Sequence, residues 1–146
     1  TKAYNGGEDF SAFFAKAGAD PSGKLMMSLE GLNWDASVTG ASFADDGPFR
    51  VFIWQPTPGK MADIYETFMA AKAIHESLGA RVNIYNEGIG GTGNIHYVMS
   101  WDSWSSMASS GDAIAMSPEF RALQASATGQ VTPVGSIQGF PLYYSK

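Results

Sequence analysis

An α+β fold with an antiparallel sheet is what this chain predicts, on three observations. Between Phe49 and Phe140, β-branched and aromatic runs alternate with helical stripes in the order β-α-β-β-α-β. Each run is short and bounded by Pro, Gly, Asn or Ser, as strands are. The middle two are joined by a glycine-rich segment that suits a hairpin. That order is the ferredoxin-like arrangement. It assigns residues 48–146 to one domain and residues 1–47 to an extra N-terminal helix–strand unit. A chain of 146 residues buries roughly two-thirds of its surface on folding, enough for a core without staples.

Each element has its own signals. Phe49 to Gln55 (FRVFIWQ) is a strand ended by Pro56. Thr57-Pro58 then offers an N-cap and a proline at the first helical position. Met61, Ile64, Phe68, Ala71, His75 and Leu78 follow at steps of three and four, one stripe of an amphipathic helix. Gly79 stands where a glycine ends such a helix. Arg81 to Asn86 and Asn94 to Trp101 are the hairpin strands, joined through Gly88 to Gly93. Asp102 or Ser103 caps a helix through Trp104 and Met107. Ser117-Pro118-Glu119 restarts one running to about Ala127. Val131 to Phe140 is the last strand, and Thr39 to Pro48 reads as a connection.

A weak internal repeat supports the N-terminal unit. A shift of 97 positions places Asp20-Pro21 on Ser117-Pro118, Lys24 on Arg121, Met26 on Leu123 and Phe43 on Phe140. Asp9 to Phe43 would then copy the last helix and strand, and the chain would be an abbreviated tandem protein. The alternative is chance similarity between two Ala/Ser-rich helices.

Composition narrows the function classes. The absence of Cys excludes disulfides, thiolate metal sites and a Cys nucleophile. Nine Lys+Arg against fourteen Asp+Glu give a net charge of −5, with the basic residues scattered. Nucleic acid and anionic membranes are therefore not expected partners. Charged residues make up 16% of the chain against an ordinary ~25%, which points to surface hidden in an oligomer. No apolar run reaches the roughly 18 residues of a membrane span. The N-terminus has no apolar signal core and no initiator Met, so a piece upstream is expected to have been removed. A soluble protein is expected; the compartment is left open, with the cytoplasm slightly favoured.

The segment Gly90-Gly91-Thr92-Gly93-Asn94-Ile95-His96-Tyr97-Val98-Met99-Ser100-Trp101-Asp102-Ser103-Trp104 resembles the third-strand-to-helix passage of dimeric α/β-barrel proteins. Ser117-Pro118-Glu119-Phe120 is similar to the second-helix restart of that group. The resemblance covers about Phe49 to Phe140 and implies two four-stranded sheets facing each other in a homodimer. The group includes cofactor-free monooxygenases, ring-opening isomerases, haem-handling members and proteins of unknown role, so the resemblance implies no particular reaction. No catalytic motif of the group matches residue by residue.

Alternation along the strands sorts candidate site residues. One face carries Val51, Ile53, Val82, Ile84, Ile95, Tyr97 and Met99 and is expected to pack under the helices. The other, mixed face carries Arg50, Phe52, Trp54, Arg81, Asn83, Tyr85, Asn94, His96 and Val98. It would face the barrel interior or the partner subunit, provided the register is right. His96, among Tyr85, Asn83 and Asn94, is a candidate general base, with a hydrogen-bonded interface histidine as the simpler account. His75 lies on the apolar stripe and reads first as a core histidine, with a role in a cleft between helix and sheet as the alternative.

Other motifs carry less. Asp63, Glu66 and Glu76 share a helix with His75, but their spacing fits no established metal site, and no metal or cofactor is expected. Gly88 to Gly93 matches G-x-G-x-x-G, but a strand follows where dinucleotide binding needs a helix. No G-x-S-x-G elbow supports a Ser-His-Asp triad. The methionines Met26, Met61, Met69, Met99 and Met107 read as packing, and Trp54 alone among the tryptophans as a pocket wall.

The leading expectation is therefore a protein that binds a small apolar or aromatic molecule in a pocket at the sheet face. Arg50, Phe52, Trp54, Arg81, Asn83, Tyr85 and Asn94 would line it. One alternative is a cofactor-free monooxygenase or isomerase using His96 as base, with Arg50 or Arg81 stabilising an oxyanion. The other is a structural dimer with no pocket.

Overall fold

The computed structural model describes residues 15–16, 31–38, 47–88 and 91–140. Its elements are β1 (Gly31–Asn33), β2 (Phe49–Pro56), α1 (Met61–Ser77), β3 (Arg81–Glu87), β4 (Ile95–Ser100), α2 (Trp104–Met116), α3 (Pro118–Ser126) and β5 (Val131–Gly139). The five strands form one sheet in the order β1-β3-β4-β2-β5, and every neighbouring pair is antiparallel. Without β1 this is the ferredoxin-like order, and the fold class is the one the sequence predicts.

Local chemistry accounts for the helix ends. Gly79 adopts φ +92°, a conformation that L-residues avoid and glycine takes without strain. Its N–H donates to the Glu76 carbonyl at 3.2 Å, and the Ala80 N–H to the His75 carbonyl at 3.1 Å. This Schellman closure satisfies the last turn of α1. Ser103 caps α2 in a capping box with Ser106, and Ser117 caps α3 with Pro118 in its first turn. The expected start of α1 is corrected. Thr57-Pro58 lies in a turn in which the Lys60 N–H bonds the Thr57 carbonyl, Gly59 takes φ +79°, and the helix begins at Met61 with Lys60 at its N-cap.

The register settles which side chains share a face. Arg50 faces Met99, Phe52 faces Tyr97 and Trp54 faces Ile95 across β2 and β4. Val82 faces Met99 and Ile84 faces Tyr97 across β3 and β4. Residues directly opposite point to the same side, so Arg50, Phe52 and Trp54 lie on the helix-covered face. There Val82, Ile84, Ile95, Tyr97 and Met99 join Ile64, Phe68 and Ala71 of α1, with Trp101 and Met107, in the core. Val51 and Ile53, expected under the helices, lie on the opposite face with His96 and Val98. The expected sorting holds for β3 and β4 and is reversed for β2.

β1 adds an edge strand beside β3, with Asn33 opposite Tyr85. Trp34 follows it onto the helix-covered side, its ring centroid 5.1 Å from that of Tyr65 and 6.0 Å from that of Phe68. Ala15 and Lys16 are helical; the positions that carry the repeat, Asp20, Pro21, Lys24, Met26 and Phe43, lie outside the described residues. Of the five methionines expected to pack, Met99 and Met107 are core residues, Met61 and Met69 are exposed, and Met26 lies outside the described residues. Among the described residues no helix is long and apolar enough to cross a membrane.

Candidate functional site

A cleft of about 870 Å³ lies between the helices and the sheet. Phe52, Trp54, Tyr97 and Met99 form its sheet side, Phe68, Ala71 and His75 come from α1, and Trp101 precedes α2. Met107 and Ile114 of α2 and Phe120 and Leu123 of α3 complete the wall. The space exists because α2 and α3 are separate helices. Between them Ser117 is extended (φ −65°, ψ 119°), and Pro118 cannot donate to a continuing ladder. No residue of α3 is fully buried, so its inner face looks onto the cleft instead of sealing against the sheet.

His75 is a buried polar residue at the edge of this cleft. It is 6% exposed, and its Nδ1 lies 2.8 Å from the Tyr97 hydroxyl. Its Nε2 is buried and has no hydrogen-bond partner. The ring stands edge-on to Phe120 at 4.5 Å and to Tyr97 at 5.6 Å between centroids. Burial disfavours the imidazolium and pulls the pKa of His75 down to about 4. The same burial, with Glu76 as a nearby negative charge, pushes the Tyr97 phenol up. At neutral pH both groups are uncharged. Trp101 is 3% exposed, and its indole Nε1 likewise has no partner.

The cleft also holds two guanidinium groups. Arg50 donates from Nε (3.2 Å) and Nη2 to Gln138 Oε1 and lies over the Phe52 ring at 5.9 Å. Arg121 donates from Nε (3.1 Å) and Nη2 (2.8 Å) to the Ala115 carbonyl. Both use neutral acceptors.

The opposite face carries a separate constellation built on Glu87. Its Oε2 accepts from the backbone N–H of Thr92 (2.7 Å) and of Asn94 (3.1 Å) and from the Thr92 hydroxyl (3.2 Å). Its Oε1 meets His96 Nε2 at 2.7 Å and accepts from Asn94 Nδ2 at 3.4 Å. Burial alone would raise its pKa, but the hydrogen bonds from His96, Thr92 and Asn94 outweigh it and hold the carboxyl down to about 2. His96 is thereby the end of a clasp that closes the β3–β4 hairpin. Nearby, Asn33 Nδ2 donates to Asn83 Oδ1 at 3.3 Å, and Arg81 pairs with Asp102.

The sequence-predicted pocket residues therefore divide between two faces. Arg50, Phe52 and Trp54 join His75 in the helix-side cleft, whereas Arg81, Asn83, Tyr85, Asn94 and His96 lie away from it. Sequence reasoning missed Tyr97 as a polar partner, because it counted as one of an apolar set, and missed Glu87 altogether. Among the described residues no three His, Asp or Glu side chains are grouped to hold a metal ion.

No protein-family model matches the chain, and no curated protein matches it by sequence. Solved structures do match. A NIPSNAP family protein of unknown function from Agrobacterium tumefaciens superimposes with a TM-score of 0.57 at 12% identity, covering 68% of this chain and 91% of the other. An uncharacterised NIPSNAP domain protein from Burkholderia xenovorans gives 0.54 at 15% identity, covering 67% and 95%. At these identities the likeness shows the fold: an α+β, ferredoxin-like chain similar in architecture to the NIPSNAP proteins.

Proposed function

We propose that this protein binds a small, largely apolar or aromatic molecule, and that the binding site is the helix-side cleft. The observation that carries this reading is a cleft of about 870 Å³ walled by aromatic side chains, with the buried, unpartnered His75 Nε2 at its edge. That size and that mixture of apolar wall with few polar groups are typical of small-molecule sites. The mixed sheet face, the earlier expectation for the pocket, is replaced by this cleft because of the β2 register. Phe52, Trp54, Phe68, Tyr97 and Phe120 supply the apolar contact, and His75 the hydrogen bond that orients the ligand.

Binding is favoured over proton-transfer catalysis by the electrostatics of His75. An imidazole with a pKa of about 4 is neutral at pH 7 and is a weak base there, well below the optimum for a general base. His96, the other candidate base, is engaged by Glu87 on the far face.

Homodimerisation through the exposed sheet face is part of the same proposal. Val51, Ile53 and Val98 lie on that face, opposite the helices, and Ile137 of β5 pairs with Val51 and is 56% exposed.

Native mass spectrometry of the purified protein tests the binding reading. A reproducible small-molecule mass, released on unfolding, is expected. No such mass, together with no thermal shift from a panel of neutral and acidic aromatic fragments, would sink the reading.

A further inference from the structure

The charge lining the cleft runs against the charge of the chain. The protein has fourteen carboxylates to nine basic residues, yet among the described residues lining the cleft the only charged side chains are Arg50 and Arg121. Neither is neutralised there: Arg50 donates to an amide oxygen and Arg121 to a backbone carbonyl. Two residues of the cleft lining, Trp101 and His75, each hold a buried polar atom without a partner. Trp101 Nε1 can only donate and has no partner. In the tautomer in which the Tyr97 hydroxyl donates to His75 Nδ1, the unpartnered Nε2 is also a donor. Two cations that meet only neutral acceptors call for an acceptor-rich, negatively charged group.

Resting on the binding reading above, we infer that the ligand is an organic acid: a carboxylate or similar oxyanion carried on an apolar or aromatic body. Arg50 stands opposite Met99, two residues along β2 from the Phe52–Tyr97 pair beneath His75. That is about 7 Å at strand rise, the length of a bicyclic aromatic. A charged end paired with Arg50 leaves the body over Phe52 and Trp54 and directs it toward His75. A guanidinium recognises a carboxylate through two parallel hydrogen bonds, which a neutral ester cannot match.

The test is calorimetric titration of the intact chain at pH 7 with 2-naphthoate and with methyl 2-naphthoate. The carboxylate is expected to bind about tenfold tighter or better, the difference expected of charge-assisted hydrogen bonds. The preference should shrink as ionic strength rises. Arg50→Gln and Arg121→Gln together should bring the carboxylate down to the ester's affinity, with circular dichroism reporting the fold. Equal or tighter binding of the ester overturns the organic-acid inference and leaves the cleft reading standing. A preference that survives both substitutions also overturns it. Binding of neither compound overturns the inference and counts against the cleft itself.

Discussion

The imidazole of His75 and the hydroxyl of Tyr97 meet at 2.8 Å, joining the last turn of α1 to the middle of β4. Both side chains are at least nine-tenths buried, and this bond is the polar link between helix and sheet at the edge of the cleft. It fixes one nitrogen of the ring, while the other, Nε2, is buried without a partner.

Removing the Tyr97 hydroxyl isolates that link. Tyr97→Phe keeps the edge-on ring contact with Phe68, at 5.6 Å between centroids, but leaves His75 Nδ1 buried without a partner. A loss of about 1–3 kcal/mol in urea unfolding is expected, the cost of an unsatisfied buried polar atom. Adding His75→Leu should lose less than the sum of the two single changes, because each removes the same bond.

The acid side of the stability profile follows from the same residue. His75 titrates near 6.5 when unfolded and at about 4 when folded, so the unfolded chain binds the extra proton between those values. Stability is therefore complete above about pH 6.5 and falls as pH drops toward 4. Urea midpoints measured across this window should slope downward with falling pH, and His75→Gln should flatten that slope. Glu87 acts lower: with a folded pKa of about 2 against 4.5, its contribution is complete above pH 4.5 and is lost as pH falls from there toward 2.

Glu87 is also expected to hold the hairpin. Glu87→Ala removes the acceptor of two backbone N–H groups and the partner of His96. Bonds to a charged group contribute more than neutral ones, so a loss of about 2–4 kcal/mol is expected, with Glu87→Gln losing less. Hydrogen exchange at Thr92 and Asn94 should accelerate in both variants, and unchanged exchange would remove the clasp from the account.

The exposed sheet face makes a prediction independent of the cleft. Sedimentation velocity should find a dimer, and Val98→Lys should shift it to monomer while the naphthoate affinity is retained. A wild-type monomer would tell against the face as a seam.

The element pattern was legible in the sequence because its signals are local. Caps at Ser103 and Ser117, the closing glycine at position 79 and the apolar stripe of α1 each act within a few residues. The face of β2 was not legible. Phe49 to Gln55 is apolar at both parities, so alternation gives no preferred side, and the choice rests on a pairing with β4 more than forty residues away. That single register moves Phe52 and Trp54 away from His96 and toward His75. The cleft itself arises from the break at Ser117–Pro118, which the sequence announced, but the space it leaves depends on how three helices pack. Glu87 escaped notice because a lone acid in a strand says nothing until its hairpin partners close on it.

The most direct measurement is a two-dimensional ¹H–¹⁵N spectrum of the labelled protein titrated with 2-naphthoate. The indole N–H of Trp101 and the ring nitrogens of His75 are predicted to shift, while the side chains of Asn83 and His96 on the far face stay in place. Shifts confined to that far face, or none at all, would contradict the helix-side cleft as the binding site.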